Sequence, residues 1–189
     1  MPSRNQSRPS ISLYPTPVIL VTSVDDSGKA NIVTLAWTGV LCSEPPQIGI
    51  SMTPARYSHD LIRKSGEFVV NVPTSDILKE VDYCGNVSGR RVDKFKKTKL
   101  TPMKANKVEP PLIKECPVSM ECMVKNIVQL GSHDLFVGEI VSVDLDEKVA
   151  RKGHKQDLVE IKPIVFSPLN SGYYSLGKLL GLIGFSRKK

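Results

Sequence analysis

Short runs of strand-forming residues, each bounded by turn residues, constrain the fold of this 189-residue chain more than any other feature. The candidate strands are residues 18–24, 31–38, 47–53, 68–72, 118–125, 134–145 and 161–167. Helical patterns are few and short, and they do not alternate with the strands as βαβ units would. The sequence therefore predicts a mainly β fold with short helices, built as an antiparallel Greek-key barrel of six or seven strands.

The segments between these runs carry turn and helix signals. The polar, Gly-containing segment 25–29 predicts a hairpin between the first two strands, and Gly131-Ser132 predicts a second, longer hairpin. A helix is expected over residues 59–65, with Ser58 as its N-cap and Gly66 after its last turn. A second helix is expected over residues 75–84, ended by Gly85.

Composition indicates one domain over residues 1–189, large enough to enclose a small cofactor. The first ten residues lack the apolar stretch of a secretory signal, and no apolar run approaches the length of a membrane span. We therefore expect a cytoplasmic protein without membrane segments. The four cysteines show neither a C-x-x-C pair nor histidines at metal-ligand spacing, so we expect reduced, mostly buried thiols and no metal site.

The formal net charge of +7 permits acidic partners such as nucleotides or acidic redox proteins. Many of the basic residues lie within 90–99 and 187–189, without the interleaved aromatic residues of a single-strand nucleic-acid surface. A solvated basic face is the preferred interpretation, and no nucleic-acid partner is expected.

Residues 31–58 carry polar and aromatic side chains that a plain core would not need. Period-two alternation places Asn31 and Trp37 on one face of the strand 31–38, and Thr34 and Thr38 on the other. After the next strand, Arg56 stands beside the start of the predicted helix. An arginine next to a helix N-terminus is a pattern typical of phosphate binding.

Five blocks in order along the chain resemble one family. They are Tyr-Pro-Thr-Pro-Val at 14–18, the segment 31–46, Glu-Phe-Val-Val-Asn-Val-Pro at 67–73, the segment 84–95 and Gly-Ser-His-Asp-Leu-Phe-Val-Gly-Glu at 131–139. Together they resemble the flavin reductase-like, FMN-binding split β-barrel proteins, within them the flavoredoxin branch. The resemblance covers most of residues 14–145.

The resemblance implies FMN as the cofactor. Because the flavin itself performs the redox step, no catalytic side chain is expected. The candidate FMN ligands include those in family-like blocks, such as Lys94 in the context Asp-Lys-Phe. The full set is Asn31, Thr34, Trp37, Thr38, Ser51, Arg56, Tyr57, Ser58, Asn71, Lys94, His133 and Phe166.

Several of these residues have a plainer alternative. Trp37 and Phe166 could instead belong to the core, and the Asn71 amide could hydrogen-bond to barrel backbone. His133 could instead be a local capping or surface residue at a turn. Lys94 could instead belong to a solvated basic run, although the family-like context favours the ligand role.

Three functions remain open on the sequence. The preferred one is an NAD(P)H-dependent flavin reductase or oxidoreductase. The alternatives are a flavoredoxin-like electron carrier reduced by a redox protein, and a basic barrel that binds nucleic acid without flavin. The resemblance also implies a homodimer. Residues 172–189 form a tail with large apolar side chains, expected to pack on the barrel or on the dimer partner.

Overall fold

The computed structural model describes residues 8–152 and 161–187. Their helices are α1 (Tyr57–Ser65), α2 (Leu78–Asn86), α3 (Lys94–Thr98) and α4 (Glu147–Lys152), with short 3₁₀ turns at Ser75–Ile77 and Phe185–Arg187. The strands are β1 (Thr16–Pro17), β2 (Ile19–Val24), β3 (Ala30–Leu35), β4 (Thr38–Ser43), β5 (Pro46–Met52), β6 (Glu67–Val72), β7 (Pro102–Met103), β8 (Leu112–Ile113), β9 (Val118–Gln129), β10 (Asp134–Leu145), β11 (Ile164–Ser167) and β12 (Gly172–Ser175).

Seven strands form the main sheet, in the order β3-β2-β6-β9-β10-β5-β4, and each pair of neighbours is antiparallel. The outer strand β3 also contacts β5 from the other end of the order, so the sheet curls into a barrel. Strands β1, β11 and β12 form a smaller sheet, and β7 pairs with β8. The predicted mainly β, antiparallel split-barrel fold is confirmed.

Alternation along the strands divides the buried apolar residues among three clusters, of which two are large. Val33, Phe68 and Phe136 belong to the cluster inside the barrel. Ile32 and Val81 belong to a second cluster, in which α2 and β11 cover the outside of the barrel. Burying each such side chain contributes roughly 1.5–3 kcal/mol. The second cluster fixes α2 against β3, which positions the cleft described below.

Both predicted hairpins are present. Gly28, with φ of 80°, allows the turn between β2 and β3, and the carboxylate of Asp25 accepts from the backbone N–H groups of Ser27 and Lys29. Strands β9 and β10 pair as a long hairpin closed by the Leu130–His133 turn.

The predicted strand 31–38 is two strands. β3 pairs with β2 as far as Leu35, whereas Thr38 opens β4 and pairs with Ile50 of β5. The chain changes partner at Ala36 and Trp37, which is why the regular alternation stops there. The sequence prediction missed β4. It also began the last strand at residue 161, whereas β11 begins at Ile164.

The helix boundaries correct two predictions. Ser58 is not the N-cap of α1, because the helix begins at Tyr57, two residues earlier than predicted, and Arg56 occupies the N-cap position. Gly66 ends α1 in the left-handed conformation, as predicted. Gly85 does not end the second helix, because α2 continues through it to Asn86. A Cβ placed on Gly85 would lie 3.3 Å from the Cβ of Thr34, so the glycine lets α2 pack closely against β3.

The described residues of the tail, 172–187, fall into two parts. Its first residues, Gly172–Ser175, are strand β12. Beyond them, the large apolar side chains stay exposed, with Leu180 at 92% and Ile183 at 106% of full exposure. Residues 176–187 therefore lie largely off the barrel of their own chain, and packing on a dimer partner, the other surface predicted for the tail, stays a prediction. Gly177, Gly181 and Gly184 interrupt this segment and disfavour a continuous helix with one apolar face.

Candidate functional site

A cavity of about 280 Å³ lies where the start of α1 meets β3 and the loop after α2. We call it the phosphate lobe, for the anion-binding groups described next. It is lined by Asn31, Val33, Thr53, Ala55, Arg56, Tyr57, Ser58, Asn86, Val87, Ser88, Gly89 and Lys94.

The N-terminus of α1 faces this lobe without a side-chain cap. The first N–H groups of a helix have no partner within the helix, and the helix dipole makes this end partly positive. The guanidinium of Arg56, exposed at the N-cap position, adds a full charge beside them. Together these groups favour a bound phosphate or another anion.

The lobe has a tightly packed side wall. Asn31, which is buried, donates from Nδ2 to the Oγ of Ser58 at 2.8 Å. Opposite this pair, a Cβ placed on Gly89 would stand 1.9 Å from the Oδ1 of Asn31. The loop after α2 therefore approaches β3 closely, and only glycine permits that approach.

Lys94 supplies a second cation from the base of the lobe. Its side chain is only 3% exposed, and its Nζ donates to the carbonyls of Ile32 and Cys84 at 2.6 and 2.7 Å. An ammonium has three donors, so one N–H is left for a ligand. Burial, with a smaller contribution from the charge of Arg56, lowers the pKa of Lys94 to about 8.

A second cavity, of about 290 Å³, adjoins the first, and we call it the ring lobe for its aromatic wall. The ring of Phe166 lies 5.7 Å from that of Tyr173 and 6.3 Å from that of Trp37, measured between centroids. Tyr173 in turn donates to the carboxylate of Asp82 at 3.2 Å. The lobe is lined by Val18, Thr34, Leu35, Ala36, Arg56, Asp82, Gly85, Asn86, Phe166, Ser171 and Tyr173.

Arg56 and Asn86 line both lobes, so the two cavities form one two-lobed cleft. Arg56 is fixed at the junction, since its Nη1 donates to the carbonyl of Gly85 at 2.6 Å. The combined size is in the range of small-molecule and cofactor sites. The arrangement suits a ligand that has a phosphate at one end and a flat ring at the other.

The cleft brings together seven of the twelve residues predicted from the sequence. Trp37 does not line it but touches the ring lobe through Phe166. Thr38 and Ser51 lie near Trp37 and not in the cleft: Thr38 donates to the carbonyl of Gly49, and the N–H of Ser51 to that of Trp37. The seven residues in the cleft are Asn31, Thr34, Arg56, Tyr57, Ser58, Lys94 and Phe166.

The structure places Asn71 outside the cleft. It is fully buried in β6, where its Nδ2 donates to the carbonyl of Leu20 and its Oδ1 accepts from the N–H of Ile113 and the hydroxyl of Ser119. These bonds occupy its polar atoms. Within this chain, Asn71 thus joins β6 to the three strands β2, β8 and β9.

His133 also lies outside the cleft. It sits in the turn between β9 and β10, where its Nδ1 is 2.9 Å from the Oγ of Ser132. Within this chain, His133 therefore makes a local contact at a turn, the alternative role considered for it from the sequence.

Sequence reasoning missed Asn86, Gly89 and Tyr173. Asn86 and Gly89 follow the helical pattern of α2 in an Asn-Val-Ser-Gly segment, whose turn-forming composition is the signal that could have found them. Tyr173 was placed in the tail, and nothing in its local sequence indicates that β12 returns it to the cleft.

The structure bears on the predictions for the cysteines and for membrane segments. Cys84, Cys116 and Cys122 are buried free thiols, and burial raises the pKa of Cys84 to about 11 and that of Cys122 to about 12. Across residues 8–152 and 161–187, no helix is long and apolar enough to cross a membrane.

Comparison with known proteins gives consistent results. Residues 11–171 match the model of the flavin reductase like domain. An uncharacterized protein of Archaeoglobus fulgidus is 42% identical over 131 residues, which are 69% of this chain and 73% of that protein. The structure is similar to the flavoredoxin of Desulfovibrio vulgaris (Miyazaki F), with a TM-score of 0.91, 31% identity and coverage of 98% of this chain and 100% of that one. It is also similar to a flavoredoxin from Methanosarcina acetivorans, with a TM-score of 0.89, 29% identity and coverage of 99% and 98%.

Proposed function

Because the chain belongs to the flavin reductase-like family, we propose that its two-lobed cleft binds FMN and that the protein is an NAD(P)H-dependent flavin reductase or oxidoreductase. The observation that carries this proposal is the cleft itself. An uncapped helix N-terminus with two cations lies beside a lobe walled by aromatic rings.

The donor set fits FMN at the phosphate end. Arg56 and the first N–H groups of α1 would bind the phosphate, and the Lys94 ammonium would add charge from below. Ser58 is held by Asn31, which leaves its hydroxyl proton free to donate to a phosphate oxygen.

The ring lobe fits the other end of FMN. Phe166 and Tyr173 would cover the flat ring of the flavin. The polar edge of that ring would lie against the backbone and polar groups beside Thr34. Bound FMN would supply the hydride-accepting chemistry, so the side chains of the cleft need only bind, orient and shield the ligand.

A second function is favoured by the likeness to two flavoredoxins over nearly the whole chain. In this function the protein is an electron carrier, reduced by a redox protein and not by NAD(P)H. The formal net charge of +7 would favour an acidic partner.

Assembly and location belong to the same proposal. We take residues 1–189 as one flavin-binding domain of a cytoplasmic homodimer. The exposed apolar side chains of the tail support the dimer, because a second copy would cover surface that this chain leaves open to water.

Anaerobic stopped-flow mixing of the FMN-loaded protein with NADH and with NADPH tests the preferred function. We expect loss of the visible flavin absorbance with at least one of the two nucleotides, at a rate that saturates with nucleotide concentration. An FMN-loaded protein that neither nucleotide reduces, but a reduced acidic redox protein does, would contradict the reductase and favour the electron carrier.

A further inference from the structure

A third cavity, of about 280 Å³, lies beside the phosphate lobe. Tyr57 is the residue that lines both of them. The third cavity is lined by charged residues of both signs, and nothing in the proposed function uses it. It is lined by Val24, Asp25, Asp26, Tyr57, Asp60, Leu61, Arg63, Lys64 and Arg90.

Arg90 holds Tyr57 in place between the two cavities. Its guanidinium carbon lies 4.8 Å from the centroid of the Tyr57 ring, a cation–π contact. The same guanidinium forms an ion pair with the carboxylate of Asp60. Since Tyr57 and Asp60 both lie on α1, Arg90 ties the loop after α2 to this helix.

Asp60 also lies close to a buried histidine of the same helix. Its Oδ1 is 3.7 Å from the Nδ1 of His59, while its Oδ2 meets Arg90. His59 is buried and is itself anchored to the start of β10, where its Nε2 lies 2.8 Å from the carboxylate of Asp134. The half-exposed ion pair between Arg90 and Asp60 therefore lies next to a side chain that is fixed to the barrel.

Neighbouring loop residues face different cavities. Gly89 lines the phosphate lobe and Arg90 lines the third cavity. Because Gly89 already packs against Asn31, the loop cannot move deeper into the cleft. The Tyr57 ring and the Arg90 side chain thus form a partition, which we call the Tyr57–Arg90 barrier.

We propose that the Tyr57–Arg90 barrier selects FMN over FAD; this inference rests on the proposed function. FMN ends in a phosphate monoester, which the phosphate lobe can enclose. In FAD the same phosphate is joined to a second phosphate and adenosine. These additional groups need space beyond the phosphate lobe. The third cavity is the adjoining space, and the barrier closes the way into it.

Two substitutions of Arg90 test the barrier. Arg90→Ala removes the bulk, the cation–π contact and the ion pair, whereas Arg90→Met removes the same charge and keeps much of the bulk. Arg91→Ala is the matched control, because Arg91 is exposed and lines neither cavity. Dissociation constants for FMN and FAD are measured for each protein by calorimetric titration, after circular dichroism and thermal melting have confirmed the fold.

We expect the wild type to bind FMN at least about tenfold more tightly than FAD, in line with the modest strength of the contacts that hold the barrier. Arg90→Ala is expected to bind FAD better and to narrow the FMN/FAD ratio by about tenfold, while Arg90→Met and Arg91→Ala keep a ratio close to the wild type.

Three results would overturn the barrier without touching the proposed function. They are equal binding of FMN and FAD by the wild type, an unchanged ratio in Arg90→Ala, and equal shifts in Arg90→Ala and Arg90→Met, which would make charge the cause. A wild type that binds neither flavin would overturn the proposed function, and the barrier with it.

Discussion

Arg56 is the single side chain on which most of the proposed cofactor site depends. It lines both lobes, precedes α1 and is held by the carbonyl of Gly85. A guanidinium fixed in this way is preorganised for a phosphate, because little side-chain freedom is left to lose on binding.

Arg56→Ala should therefore weaken FMN binding by on the order of 1.5–3 kcal/mol, the strength of a charge-assisted hydrogen bond. Riboflavin, which lacks the phosphate, should lose much less. Titration of both flavins into wild type and variant measures the difference. Arg91→Ala serves as a charge-matched control, and an Arg56→Ala protein that binds FMN as well as the wild type would refute the phosphate assignment.

Lys94 gives the site a pH dependence. Burial lowers its pKa from 10.5 to about 8, so the ammonium is present below pH 8 and is lost as the pH rises through that value. FMN affinity should fall by at most about tenfold between pH 7 and pH 9, because the neutral amine no longer attracts the phosphate. Riboflavin affinity should change little over the same range.

The same pKa shift makes the stability of the fold rise with pH, whereas FMN affinity falls. Since the folded protein releases the Lys94 proton more easily than the unfolded chain, burying the charge destabilises the fold below about pH 8. That cost is relieved as the pH rises from about 8 towards 10.5.

Lys94→Met tests the origin of the fall in FMN affinity near pH 8, which this variant should no longer show. If the fall persists in Lys94→Met, a group other than Lys94 causes it.

Residue types and the family resemblance together predicted part of the site. Asn31 belongs to a family-like block and Ser58 stands at a helix start, and the two side chains do meet in the cleft. Asn71 was chosen on the same kind of evidence, yet the barrel uses its amide to join strands. Sequence shows that a polar side chain needs a partner, but whether the partner is backbone or ligand depends on packing between distant segments.

At the level of elements, the loop after α2 must stay close to β3. Gly89→Ala would place a methyl group against the Oδ1 of Asn31, so the loop or the asparagine must move. We expect a loss of roughly 1–3 kcal/mol in the free energy of unfolding, typical of overpacking, together with weaker FMN binding. Denaturant unfolding and FMN titration measure the two effects.

Gly39→Ala is the control for this substitution, since a Cβ at Gly39 in β4 would meet no atom within 4 Å. It should leave both quantities near the wild-type values. Equal behaviour of the two variants would show that the loop tolerates displacement and that its close approach does not shape the lobe.

Elements were easiest to predict where one strand keeps one pair of neighbours. The β9–β10 hairpin followed from alternation and a Gly-containing turn, and the first hairpin likewise. The break between β3 and β4 was missed because no turn residue marks it. There the chain leaves β2 and joins β5, a long-range change that Ala36 and Trp37 do not reveal locally.

At the level of the whole molecule, the tail exposes large apolar side chains that a single copy of the chain does not cover. Removing residues 176–189 keeps β12, which pairs with β11, and deletes the exposed apolar side chains. The truncated protein should dissociate to monomers, because burying several large apolar side chains in a partner is worth several kcal/mol at roughly 25 cal/mol per Å².

Sedimentation of both forms, with FMN titration of each, checks this prediction. FMN affinity should fall together with dimerisation if the partner completes the site. A full-length protein that stays monomeric while binding FMN fully would contradict both the dimer and a shared pocket.

The central claim is that the two-lobed cleft is the flavin site, and the crystal structure of the protein with FMN tests it most directly. We predict the phosphate within hydrogen-bonding distance of Arg56 and the first N–H groups of α1, and the flavin ring in the lobe walled by Phe166. A structure with FMN bound elsewhere, or with its phosphate away from Arg56 and the start of α1, would contradict the claim.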